Sequence, residues 1–159
     1  MLKVLRHLTL ITLCLNAPGI AISQEGKTMT DDQTAVLSAI QNMTAAFHAG
    51  DIEGVMAAYE PAASVEFQPG VVSSDAGALR AGFEEFFAVN PRFEYSGHEV
   101  IVQGDTALHI APWDMTGTTP DGQAIAQSGL SVAVLRRQAD GGWLMVIDNP
   151  HGAALMASQ

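Results

Sequence analysis

His109 and the run Asp148-Asn149-Pro150-His151 hold the side chains in this chain best suited to chemistry. His109 sits in Leu108-His109-Ile110-Ala111, an imidazole among apolar neighbours. Such a ring can act as a general acid or base near neutral pH. It can equally be a core histidine with one satisfied hydrogen bond. Asp148 and His151 could form a carboxylate–imidazole pair in which the acid orients the ring, or simply mark a strand end running into a turn. These three are the catalytic candidates. Asn149 could donate a hydrogen bond to a ligand carbonyl, a role that needs no pKa shift. Tyr59 could offer a hydroxyl, Glu66 a carboxylate, and Trp113 an apolar pocket wall; with Asn149 they are the substrate-binding candidates.

Other chemistries lack their residues. The sequence contains no His-x-His and no Glu-x-x-His, so no metal site is expected. His109, Asp148 and His151 would have to converge to make one. Cys14 is the single cysteine and lies in the N-terminal apolar run. A chain trimmed after it has no thiolate nucleophile, disulfide or cysteine zinc site. No glycine-rich stretch joins a strand to a helix, so no nucleotide cofactor is expected. The formal charge is −10. That surface repels phosphate backbones and anionic membranes, so neither nucleic acid nor a membrane is an expected partner.

The N-terminus is set aside before the elements are placed. Lys3 and Arg6 precede an apolar run from Leu8 to Leu15, then Asn16, Pro18 and Gly19, then Ala21-Ile22-Ser23. This is the order of a secretory signal. The run is too short to span a membrane, which takes about 20 residues. The reading is export to the periplasm or beyond, with cleavage near Ser23. Loss of Lys3 and Arg6 would leave a charge of about −12. Residues 24–29 read as a flexible lead-in, 30–152 as one domain and 153–159 as a tail.

Within the domain, Thr30-Asp31-Asp32-Gln33 reads as a capping box. Val36, Ile40, Met43 and Phe47 follow at helical spacing and Gly50 closes the helix. Asp51 can cap a second helix with Ile52, Val55, Met56 and Tyr59 on one face, ended by Pro61. Ser64 to Gln68 reads as a short strand. Ser74 or Asp75 can cap a third helix that buries Leu79, Phe83, Phe86 and Phe87. The period then changes. Phe93–Gln103, Thr106–Thr116, Gln123–Gln138 and Trp143–Asn149 read as strands joined by turn-rich breaks. Helices first and strands last is the α+β pattern, with helices on one face of a mainly antiparallel sheet.

Symmetric hairpins would set His109 across from Leu130 and Leu130 across from His151. One face would then carry His109, Ala111, Trp113, Ser128, Leu130, Trp143, Met145, Ile147, Asn149 and His151. Being the bulkier set, it is assigned to the pocket. Ile110, Asp114, Gln127, Ser131, Leu144, Val146 and Asp148 would face the other way. A bulge would reverse the assignment.

Ala46-Phe47-His48-Ala49-Gly50-Asp51-Ile52-Glu53 with Tyr59 resembles the opening of SnoaL-like and ketosteroid-isomerase-like proteins of the nuclear transport factor 2-like superfamily. So do Gly104-Asp105-Thr106-Ala107-Leu108-His109, Asp140-Gly141-Gly142-Trp143 and Ile147-Asp148-Asn149-Pro150. The likeness spans Thr30 to Gly152. It implies a cone-shaped fold, three helices over a strongly bent sheet with a pocket between, and often a homodimer through the outer sheet face. It implies no single activity, because relatives include isomerases, dehydratases, cyclases and non-catalytic assembly modules. Steroid isomerases use a carboxylate base with an oxyanion hole of tyrosine and protonated aspartate. Here Phe67 stands where the base belongs, with Glu66 beside it, and Met43 falls near the tyrosine position. Two functions stay open: a cofactor-independent isomerase, dehydratase or cyclase acting on a small apolar molecule, and a non-catalytic ligand-binding or dimeric assembly module.

Overall fold

The computed structural model describes residues 28–157; the expected signal segment lies outside them. Helix α1 spans Asp31–Ala49 and starts as its sequence requires. The Thr30 hydroxyl accepts from the Gln33 N–H and the Gln33 side chain accepts from the Thr30 N–H, so both arms of the capping box form. Gly50 ends it at φ 67°, a conformation that costs other residues free energy. Helix α2, Ile52–Met56, is capped by Asp51, and α3, Ala76–Phe87, by Asp75.

The strands are β1 (Tyr59–Gln68), β2 (Val71–Ser73), β3 (Arg92–Tyr95), β4 (Glu99–Gln103), β5 (Thr106–Thr118), β6 (Ala124–Arg137) and β7 (Trp143–Asn149). They make one seven-stranded sheet in the order β2-β1-β7-β6-β5-β3, with β4 also on β5. Only β1 and β7 pair in parallel; the other pairs are antiparallel. Helices on one side of a bent, open, mixed sheet are the α+β cone that the sequence predicts. A short helix, α4 (Ala154–Ala157), follows the last strand.

Three details correct the sequence reading. Tyr59 belongs to β1, not to the second helix. That helix ends at Met56, and the Met145 N–H bonds to the Ala58 carbonyl, drawing the chain into parallel pairing with β7. Pro61 lies where this pairing is irregular, a position that needs no ladder N–H. The expected strand from Phe93 to Gln103 is two strands, broken at Ser96-Gly97-His98.

The third correction is register. His109 faces Ala133, and Pro112 faces Leu130. The loop between β5 and β6 has five residues, Thr119 to Gln123, closed by the Thr119 N–H to the Gln123 carbonyl. Its centre is Asp121, and the odd shift relative to the symmetric guess exchanges the faces of β6. Leu130 and His151 do lie side by side, but as an isolated parallel bridge and not as a pair in the antiparallel ladder. The route there contains a bulge: Leu135 pairs with Met145 but Val134 with Ile147. The inner face of β7 therefore runs Trp143, Met145, Asp148. Ile147 is 49% exposed, and Gln127 and Ser131 replace Ser128 and Leu130 inside.

Candidate functional site

Between helices and sheet lies a cavity of about 700 Å³, within the range of small-molecule sites. Its walls are aromatic because five elements, α1, α3, β1, β3 and β5, contribute rings to one volume. Phe47 from α1 meets Phe83 of α3 at 5.4 Å and Phe93 of β3 at 6.0 Å, both edge to face. Phe67 meets Phe83 at 5.2 Å. Such pairs add free energy beyond their burial. Trp113 closes one side. Its indole N–H donates to the Pro150 carbonyl at 3.0 Å, and Gly129 lies opposite it across the ladder. A Cβ on Gly129 would approach the indole ring to 2.6 Å and the Pro150 carbonyl to 3.0 Å. Gly129→Ala is therefore expected to lower stability by about 1–3 kcal/mol. Urea unfolding checks this, and a shifted Trp113 emission should accompany it.

Polar groups are concentrated at one place. Tyr59 donates its hydroxyl proton to Asp148 Oδ2 at 2.7 Å. Asp148 is half-buried and lines the cavity. Its other oxygen has no hydrogen-bond partner among the described residues. Burial pushes the Asp148 carboxyl above its ordinary value, while the Tyr59 hydrogen bond and the His151 charge pull the other way. Burial also raises Tyr59 well above the usual phenol value, with the Asp148 charge adding to it. Tyr95, on β3 opposite Trp113, lines the same cavity and is raised by burial, with a smaller contribution from Asp148.

The structure brings together Tyr59, Glu66, Trp113, Asp148 and His151 on the cavity lining. Asp148 and His151 do not bond to each other: His151 Nε2 lies 3.1 Å from the Phe67 carbonyl, and Asp148 bonds to Tyr59. Asn149 is not on the lining, because the bulge turns it away. Its Oδ1 accepts the His151 N–H at 2.7 Å. Glu66 Oε1 accepts the Gly70 N–H at 2.8 Å and so ties the β1–β2 turn. Phe67 lines the cavity beside it, in the bulge of β1, and Met43 also lines it.

His109 is placed elsewhere. It is wholly buried, does not line the cavity, and shares a 3.0 Å hydrogen bond between its Nε2 and His98 Nδ1. Its Nδ1 has no hydrogen-bond partner among the described residues. Burial, with the His98 charge second, lowers its pKa from 6.5 to about 4. The ring is thus neutral near pH 7, one ladder position beyond Ala133, which separates it from Asp148. Sequence reasoning passed over Tyr95, although the alternation Phe93, Tyr95 already put it on the inner face. It also assigned Ser131 and Gln127 outward.

Residues 40–144 match the SnoaL-like domain family. No curated protein sequence matches the chain. Solved structures of the same shape include a proposed dehydratase from the NTF2-like family of Streptomyces avermitilis. Its TM-score is 0.66 at 22% identity, covering 74% of this chain and 93% of that one. A ketosteroid isomerase-like protein from Erwinia carotovora atroseptica gives 0.65 at 19%, covering 76% and 95%. A proposed calcium/calmodulin dependent protein kinase II association domain from Xanthomonas campestris gives 0.65 at 20%, covering 72% and 82%. At these identities the likeness establishes the fold, and activity must be argued from the site. The family match covers most of the chain, and with the cone fold it places this protein in the SnoaL-like family of the nuclear transport factor 2-like superfamily.

Proposed function

We propose that the protein binds one small, largely apolar organic molecule and exchanges a proton with it through Asp148, as a cofactor-independent isomerase or lyase. One observation carries the reading: a carboxyl in the wall of an aromatic cavity, with one oxygen held by Tyr59 and the other without a hydrogen-bond partner among the described residues. A carboxylate whose pKa is raised by burial is a stronger base than one in water, and its acid form is populated nearer neutrality. Tyr59 fixes its direction. Tyr95, on the same lining, offers a hydroxyl that can donate to a ligand oxygen. His109 has no part in this chemistry. Phe67 and Met43 at positions associated with steroid-isomerase chemistry favour the alternative, a binding module without turnover.

Asp148→Asn keeps the size of the side chain and removes the base. Uptake of solvent deuterium at the carbon beside the carbonyl of simple cyclic ketones, followed by NMR, is expected to fall by about 10²–10⁴-fold in the variant. Equal uptake in both proteins would overturn the catalytic reading and leave the binding module.

The order of charge, apolar run and small residues in 1–23 supports work outside the cytoplasm. The intact mass of protein from a bacterial periplasmic fraction should then correspond to a chain beginning after Ser23. A full-length mass in the cytoplasm would contradict it. A second copy, paired through the outer sheet face, is the partner this reading carries.

A further inference from the structure

We propose that the ligand of this cavity carries a basic nitrogen and is held as its cation, with Asp148 as the counter-charge. The proposal rests on reading the cavity as a small-molecule site and names the class of molecule that fits it.

The acidic side chains on the lining are Glu66, Glu85 and Asp148; neither lysine nor arginine lines it, and His151 is its one titratable base. A carboxylate ligand would enter against three acidic side chains and find no lysine or arginine. Asp148 has no ion-pair partner among the described residues, and the His151 charge acts on it only through space. Its hydrogen bond comes from the neutral Tyr59. His151 does not fill the gap. The Phe67 carbonyl can only accept, so the His151 Nε2 proton is used in that bond and not on Asp148. Desolvated carboxylates in folded proteins are normally paired, because leaving one alone costs free energy. The missing partner is what a ligand ammonium supplies, as a charge-assisted hydrogen bond to the unpartnered oxygen.

The walls suit the same ligand. Tyr59, Tyr95 and Trp113 line the same cavity as Asp148, and ring faces attract cations where water is excluded. Phe47, Phe83 and Phe93 give the apolar body its contact surface. Glu66 and Glu85, also on the lining, add negative potential, and the net charge of −10 steers cations toward the protein.

The test compares phenylbutylamine, phenylbutanol and phenylbutanoate by calorimetry on the purified protein near neutral pH. The amine is expected to bind about tenfold or more tighter than the alcohol, and the carboxylate not to bind measurably. In Asp148→Asn the ratio of amine to alcohol affinity should fall to about one. In the wild-type protein alone, acidification through the Asp148 titration should weaken the amine and spare the alcohol, which decides the matter should the variant not fold. Alcohol binding equal to amine binding would overturn the cation proposal and leave the cavity reading standing. Absence of binding by all three would overturn both.

Discussion

Phe47→Ala is expected to cost about 3–5 kcal/mol of stability, among the largest losses available from one substitution in this domain. Phe47 is 8% exposed. Its ring lies against Phe83 at 5.4 Å, Phe86 at 6.2 Å, Phe87 at 5.3 Å and Phe93 at 6.0 Å. It therefore joins α1 to α3 and to β3 at once. Truncation removes the transfer free energy of the ring, and the surrounding rings cannot close the gap without leaving their own partners. Since Phe47 also lines the cavity, the variant should enlarge the site and weaken binding of small apolar ligands. Urea unfolding measures the first effect and ligand calorimetry the second. A loss below about 1 kcal/mol would mean that the cluster collapses freely, contrary to the packing described.

Acidification is expected to destabilise the fold by about 3 kcal/mol through His109 alone. The folded pKa is lowered from 6.5 to about 4, so between those values the unfolded chain binds the proton and the folded chain does not. Stability from this residue is fully present above about 6.5 and is lost as the pH falls toward about 4. The cause is geometric. The ring is wholly buried and its Nδ1 has no hydrogen-bond partner among the described residues, so a second ring proton would be left unsatisfied. Asp148 acts with the opposite sign. Its carboxyl is raised in the fold, so the folded state takes up that proton first and gains relative stability as the pH drops through its titration. His109→Leu separates the two. It should flatten the loss between neutral and mildly acidic pH in urea unfolding, whereas an unchanged slope would show that His109 is not its source.

Much of the architecture was legible from local rules. The capping box at Thr30 and Gln33, the stop at Gly50 and the stripe Val36, Ile40, Met43, Phe47 are set by near neighbours in the chain, and α1 follows them. The strands β5, β6 and β7 were legible for the same reason. Their register was not. It depends on a five-residue loop and one inserted residue in β7, and either changes which side chains face inward without changing the composition of the strands. That is why Asn149 seemed to face the pocket and Asp148 does. Tyr59 was misplaced because parallel pairing with β7, a contact far away in sequence, draws it into a strand. His109 stands out among its apolar neighbours, but its partner, His98, comes from the break between β3 and β4 that the alternating pattern conceals. Burial of a histidine is visible in a sequence; whether the burial adjoins a cavity is decided by the fold.

The central claim is that Asp148 is an acid lining a ligand space. Its carboxyl carbon, followed by NMR across pH with and without phenylbutylamine, tests this most directly. The account predicts titration above the ordinary aspartate value in the free protein, and a shift to lower pH when the amine binds. Titration at the ordinary value, or a curve indifferent to a bound amine, would contradict it.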